Sequence, residues 1–293
     1  MKGRAWMGAM LGVLLLVGCK GTAVKTEEGW TVSEGISAPE SVYYDNDGDR
    51  LFVSNVAGGG TDKDGKGWIS ILSTDGKMVS SKWVSGLNAP KGMRAHEGIL
   101  WVSDIDEVVG ITMKTGKIFA RMGFEDAKFL NDVAVSPEGE VFVSDTIGNT
   151  IYSITRSGSV LKSAVFMSGG ELESPNGLYV AIGRLYVASW GLTKDWSTKT
   201  PGGLSYIDLK TKEIVQITKT PVGNLDGLEL DAEGRFLVSD WVSGKIHRID
   251  PEGSSVMLIA GEKGYADIGY VPSKKLLVVP SMQKDRIIAY HLR

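Results

Sequence analysis

Cysteine occurs once in the 293 residues, at Cys19, so no disulfide can close within the chain. Histidine occurs three times, at His96, His247 and His291, and no G-x-S-x-G is present. Both scarcities disfavour a Ser-His-Asp hydrolase and a histidine-built zinc centre. There is no run of like charge, and the formal charge is only −3, which leaves no footprint for a nucleic-acid backbone. No window carries a sustained 3.6-residue apolar period, so helix is expected to be scarce. Long apolar runs are also missing, apart from Ala5 to Val17 behind Lys2 and Arg4, which is too short to span a bilayer.

What the chain does contain is a repeat. The copies read APESVYYDNDGDRLFVSN from Ala38, APKGMRAHEGILWVSD from Ala89, LNDVAVSPEGEVFVSD from Leu130, SPNGLYVAIGRLYVAS from Ser174, LDGLELDAEGRFLVSD from Leu225 and ADIGYVPSKKLLVVPS from Ala266. Taking Glu40, Lys91, Asp132, Asn176, Asp226 and Asp267 as equivalent, the intervals are 51, 41, 44, 50 and 41 residues. Periods of this size belong to propellers and solenoids. Each copy offers four short strand candidates separated by turn signals such as Asp47-Gly48, Gly139 and Gly234. The last copy ends three strands in, near Leu292, while the weakly alternating stretch Gly29 to Gly35 stands alone before the first. Placing that stretch beside the last three strands completes a blade and covers an open edge. The fold expected is therefore all-β: a six-bladed β-propeller of four-stranded blades, about 24 strands in all, closed by the N-terminal strand.

The N-terminus reads as a secretory signal. Its end, Leu16-Val17-Gly18-Cys19, resembles the lipobox of bacterial lipoproteins, and the resemblance implies lipidation of Cys19 as the mature first residue. The expected organisation is a signal peptide over 1–18, a lipidated polar tether over 19–28 and a propeller over 29–293. The protein is then expected in the cell envelope, held to a membrane through its lipid, at the periplasmic face or outer membrane if the cell is Gram-negative, and as a monomer.

Inner strands of a propeller start at the mouth of its axial funnel, so the six equivalent residues are expected to face one another there. Four of them are carboxylates, and like charges so placed need a proton, a cation or a metal to compensate. Lys91 can offset one. The residue before each is apolar except Asn131, which adds an amide oxygen. This selects Glu40, Asn131, Asn176 and Asp226 as a metal-ligand set. Hard oxygen donors of this kind suit Ca²⁺ first, then Mg²⁺ or Mn²⁺, with Zn²⁺ disfavoured. The alternative reading is that these side chains only cap turns. Two long connections, 55–67 and 190–203, are expected to rim the same mouth, where Trp190 and Trp196 could stack on a ligand.

Two other motifs carry no function. Gly60 to Gly67 spells G-x-x-x-x-G-K without the following Ser or Thr and without a helix, and reads as a hairpin loop. Asp45 to Asp49 lacks the glycine and glutamate of a calcium loop and reads as a turn.

The segments E-S-x-x-Y at Glu40, L-N-D at Leu130, S-P-N-G-L at Ser174 and D-G-L-E-L-D-A-E-G-R at Asp226 resemble the SMP-30/gluconolactonase/LRE-like family, from about Ala38 to the C-terminus. The resemblance implies one divalent cation held by Glu40, Asn176 and Asp226, with Asn131 binding metal or substrate. It also implies hydrolysis of a small-molecule lactone or related ester, with Asp226 as general base and Asp132 orienting the site. The family's sugar-lactone hydrolases resemble one another in an arginine where this chain has Phe129, so a less polar substrate is expected, bound by Asn131, Phe129, Lys91 and Trp190. The competing hypothesis is a lipid-anchored propeller that binds a ligand or protein partner without chemistry, its metal being structural.

Overall fold

A computed structural model describes residues 26–158 and 160–293; the stretch expected from sequence to be a signal peptide, Cys19 and the expected tether as far as Lys25 lie outside the described residues. Twenty-four strands form six four-stranded antiparallel sheets. Blade 1 consists of Pro39–Asp45, Arg50–Asn55, Gly67–Ser73 and Met78–Leu87, and blade 2 of Pro90–His96, Ile99–Asp104, Glu107–Thr112 and Lys117–Gly123. Leu130–Val135, Val141–Asp145, Thr150–Ser157 and Val160–Ser168 make blade 3. Blade 4 contains Pro175–Ala181, Arg184–Ser189, Leu204–Asp208 and Ile214–Gln216, and blade 5 Leu225–Leu230, Phe236–Asp240, Lys245–Ile249 and Ser255–Ala260. Blade 6 takes Gly269–Val271, Leu276–Ser281 and Arg286–Leu292 from the C-terminus and Thr26–Val32 from the N-terminus. The only helical pieces among the described residues are three single 3₁₀ turns.

Alternate residues of a strand face opposite sides of its sheet, so each blade has two apolar faces to bury. They are buried against the neighbouring blades. Phe52, Ile69 and Ile71 of blade 1 pack on Met93, Leu100 and Val109 of blade 2. Equivalent clusters fill every other junction, ending with Leu51 and Leu72 of blade 1 against Val278 and Ile287 of blade 6. The core is thus a ring of six inter-blade seams around a polar axis.

The closing strand runs from Thr26, not Gly29, so it begins inside the stretch read from sequence as tether. Thr26 pairs with Leu292, Glu28 with Tyr290 and Val32 with Ile287, across a bulge between Glu28 and Thr31. This is an outer strand with mostly exposed side chains, so its pattern is faint in sequence; backbone pairing to the C-terminal strand sets its limits.

Candidate functional site

All six inner strands start at the same end of the axis, and the pairing register fixes which residues correspond. Pro39 pairs with Asn55, Pro90 with Asp104, Leu130 with Asp145, Pro175 with Ser189, Leu225 with Asp240 and Tyr265 with Ser281. The next residue along makes the ring at the mouth: Glu40, Lys91, Asn131, Asn176, Asp226 and Ala266. The sequence-based equivalence therefore needs a correction of one place in two blades. Asp132 and Asp267 belong to the following layer, with Ser41, Gly92, Gly177 and Gly227. The mismatch arises because in blades 3 and 6 an aspartate in the following layer stands next to an uncharged ring residue, Asn131 or Ala266.

The second layer explains its own glycines. A Cβ on Gly92 would stand 2.3 Å from Asp132 Oδ1, and one on Gly227 would stand 2.6 Å from Asp267 Oδ1. The two aspartates thus occupy space that the adjacent blades vacate. Asp132 Oδ1 accepts from Val133 N at 2.6 Å and its Oδ2 from Leu178 N at 2.7 Å, stapling blade 3 to blade 4 beneath Asn131 and Asn176. Asp267 accepts from Ser41 Oγ and ties blade 6 to blade 1. A third layer seals the axis: Arg94 and Glu229 pair across it at 2.9 Å, with the guanidinium 5.5 Å from the Tyr43 ring centre and 5.4 Å from that of Tyr179.

The V-S-D/N ending shared by several repeats holds the ring in place. Ser144 Oγ accepts from Asp132 N at 2.9 Å and donates to Asn176 O at 2.7 Å; Ser239 Oγ accepts from Gly227 N and donates to Ala266 O, both at 2.8 Å. Ser103 donates in the same way to Asn131 O. Each such serine fixes the backbone of its own inner strand against the next, which sets the direction in which the ring side chains project. The carboxylate that follows works similarly. Asp145 accepts from Lys128 N and Phe129 N, both at 2.8 Å, and so fixes Phe129 at the mouth.

Above the ring opens a cavity of about 510 Å³. Its floor is Glu40, Lys91, Asn131, Asn176 and Asp226; Phe129, Trp190, Trp196, Trp241, Val242 and Met282 form its walls, with Gly60, Thr61 and Lys263 at the rim. The two long connections do meet at this mouth, as their position after second strands suggested. Every residue that the sequence put at the mouth lines the cavity except Asp132 and Asp267, which lie one layer below, Asp132 with both oxygens bonded to backbone.

Four floor atoms are buried without a hydrogen-bond partner: Glu40 Oε2, Asn131 Oδ1, Asn176 Oδ1 and Asp226 Oδ1. Buried oxygens left unpaired cost about 1–3 kcal/mol each, more when charged, and four in one ring form a donor set that a single shared cation would satisfy. Two carboxylates and two amide oxygens match the hard donor set of Ca²⁺, Mg²⁺ or Mn²⁺. Among the described residues no three His, Cys, Asp or Glu side chains converge, so the set depends on its amides.

Without an ion, the carboxyls of the ring and of the layer below favour their protonated forms. Burial, and then the Asp226 carboxylate, push Glu40 well above the usual carboxylate range; burial, and then Asp132, do the same to Asp226. Burial raises Asp132 to about 6 against the pull of Arg94, and it lowers the Lys91 ammonium to about 8 despite the nearby Glu40. Lys91 Nζ donates to Ala89 O at 2.9 Å and stands 4.4 Å from the Phe129 ring centre. Carboxyls whose folded-state pKa is raised bind extra protons when folded. The stability they contribute is present below their unfolded pKa, near 3.8 for Asp132, and is lost as pH climbs through about 6 and beyond. Chelator-treated protein should therefore melt at progressively lower temperature from pH 5 to pH 7.5, and a saturating divalent ion should flatten the trend. A melting temperature that rises over that range without metal would contradict these raised carboxyls.

Sequence reading missed Trp241, Lys263 and Met282. The first had a signal: Trp190 and Trp241 both follow directly on the second strand of their blades, so the repeat ending -A-S-W in blade 4 matches -S-D-W in blade 5. Met282 had the same signal, following directly on Leu276–Ser281 in blade 6, whereas Lys263 sits on a connection outside the repeated core and had none.

No protein-family model matches the chain. No curated protein matches it by sequence. Solved structures do match its fold. A gluconolactonase from Xanthomonas campestris superposes with a TM-score of 0.64 at 14% identity, over 88% of this chain and 87% of its own. A catalytically inactive histidine-to-alanine variant of virginiamycin B lyase from Staphylococcus aureus, with quinupristin, gives 0.61 at 16% identity, over 92% and 100%. The β-propeller domain of Swd1 from Myceliophteria thermophila gives 0.60 at 13%, again over 92% and 100%. At these identities the likeness establishes the propeller and leaves the chemistry to the site itself.

Proposed function

We propose that this chain is a divalent-metal-dependent hydrolase of lactones or related esters. The observation that carries the reading is the ring of four buried, unpartnered oxygens on the floor of a cavity whose walls are mostly aromatic and apolar. The gluconolactonase neighbour supports it, since a propeller of this shape houses such an activity. The lyase neighbour supports its own chemistry less well: that protein is inactivated by loss of a histidine, and among the described residues no histidine lines this cavity.

Glu40, Asn131, Asn176 and Asp226 would hold the ion, the two carboxylates balancing its charge. When bound, a divalent cation supplies a Lewis acid that polarises a carbonyl and stabilises the oxyanion. The remaining work falls to the protein. Asp226 has two oxygens and only one is needed as a ligand; the other takes a proton from water as that water attacks the carbonyl, then returns it to the alkoxide as the acyl–oxygen bond breaks. Lys91 adds positive charge beside Glu40 at the floor. Asp132 acts by position, holding the strands that carry Asn131 and Asn176. The aromatic walls exclude water from the reacting carbonyl and strengthen these interactions.

Hydrolysis of a lactone panel before and after chelation tests the reading. Activity lost on chelation and regained with Ca²⁺ is expected. Chelator-resistant activity would remove the metal from the chemistry, and a metal-binding protein without activity would favour the ligand-binding scaffold.

We further propose attachment to a membrane through Cys19. Among the described residues no helix is long and apolar enough to cross one. Cys19→Ser should therefore move the protein from the membrane pellet to the soluble fraction; a variant that still sediments with membranes would overturn the lipid anchor.

A further inference from the structure

We propose that Trp196 sets the substrate class of this site: a lactone or ester carrying an apolar arm, which lies on an aromatic wall that Trp196 completes while the carbonyl sits at the floor. The inference rests on the hydrolase reading and adds to it what the substrate must look like.

Trp196 stands out by its backbone. Its φ is +69°, a left-handed conformation that is an outlier for a bulky side chain and persists only where the surroundings impose it. Those surroundings are polar bonds of the 190–203 connection. Thr193 Oγ1 donates to Ser197 O at 2.9 Å, Thr193 N to Ser174 Oγ at 3.0 Å, and Asn224 Nδ2 to both Thr198 Oγ1 at 2.9 Å and Trp190 O at 2.8 Å. The strain does not serve core packing, because Trp196 remains 39% exposed. It places the indole at the mouth, edge-on to Phe129 at 4.7 Å and to Trp190 at 5.1 Å, with Trp241 a further 6.0 Å from Trp190. The result is a continuous aromatic arc contributed by blades 3, 4 and 5.

The rings of the arc offer three indole N–H donors and no acceptor, with Lys91 4.4 Å over Phe129 and Lys263 5.2 Å over Trp241 at its two ends. Its one buried donor without a partner among the described residues is Trp190 Nε1–H. A polyhydroxylated ring placed there would leave most of its hydroxyls unpaired, which disfavours it strongly, whereas an alkyl or aryl arm gains area on every ring it touches. The polar requirement of the substrate is confined to the carbonyl end, where the floor oxygens and Lys91 lie.

The test is a series of γ-lactones with unbranched alkyl arms from none to hexyl, with glucono-δ-lactone as the polar comparison. In the wild type, kcat/KM should rise roughly three- to fourfold per added methylene. Trp196→Ala should cut that to under twofold per methylene and keep the melting temperature, the readout being the slope across the series within each protein and not the rate on any single lactone. Trp196→Phe should restore most of the chain-length dependence. A flat series, a preference for glucono-δ-lactone, or an unchanged slope in Trp196→Ala would overturn the inference while leaving metal-dependent hydrolysis intact. Should no lactone be cleaved, the hydrolase reading fails, and quenching of tryptophan fluorescence by the same series decides the binding part. Affinity that grows with chain length and is lost in Trp196→Ala supports the apolar-arm site; affinity independent of chain length overturns it.

Discussion

Asp226→Asn should reduce turnover at saturating divalent ion by roughly 10²–10⁴-fold, the usual contribution of a general base. The substitution keeps the side-chain volume and one oxygen donor but removes the charge and the proton acceptor. Folding should survive, because Asp226 is a buried carboxyl beside others and its charge is held there against burial and Asp132. Metal affinity should fall as well, so the comparison must be made where added Ca²⁺ no longer raises the rate. Glu40→Gln is the control. Glu40 has a buried oxygen with no other partner and is assigned only to hold the ion, so excess metal should restore most of its activity. Full turnover of Asp226→Asn at saturating metal would make Asp226 a ligand only. Asp132 could not easily replace it, since both its oxygens are engaged by backbone N–H groups below the cavity.

The other large effect concerns closure. Deleting Thr26–Val32 should lower the melting temperature by at least about 10 °C, or abolish cooperative folding. The strand covers the edge of Arg286–Leu292 and places Trp30 and Val32 against the seam between blades 6 and 1. Trp30 also packs on Gly76, where a Cβ would stand 2.6 Å from the indole, and donates from Nε1 to Thr74 O at 3.2 Å. Truncating a fully buried Trp costs about 3–5 kcal/mol, so partly buried Trp30 accounts for the lower part of that range or less, against a typical total stability of about 5–15 kcal/mol. For a domain of this size about 1 kcal/mol corresponds to about 2–4 °C, and the lost strand pairing adds to the indole. Removing only the residues before Thr26 should leave the transition where it was. Equal melting temperatures for the two truncations would show that the ring does not close through this strand.

The propeller was legible because a repeat is written into backbone and side chains together: six copies, each with two apolar faces, leave no other way to bury them than against one another. The closing strand was legible as an orphan and imprecise in its limits, because its side chains are in water. The mouth ring was readable in part. Glu40, Asn176 and Asp226 fall on it directly, but Asn131 entered as an exception to the layer assigned to Asp132, when pairing of Leu130 with Asp145 makes it the regular member. Bulges just past the ring break the period of two, so residue type alone could not say which of Asn131 and Asp132 faces the mouth. Phe129 signalled a less polar site, yet the arc it begins is built by loops from three blades. Trp241 could be matched to Trp190 through the repeat, but no local pattern of Trp196 or Lys263 announces that they join it.

Calorimetric titration of Ca²⁺ into chelator-treated protein tests the central claim most directly, because it asks whether the four oxygens hold an ion without requiring a known substrate. One ion per chain is expected, with binding weakened at least tenfold in Asn176→Ala while that variant stays folded. Absence of binding heat for Ca²⁺, Mg²⁺ and Mn²⁺ alike, with a melting temperature that none of them moves, would contradict the metal site and the hydrolytic chemistry built on it.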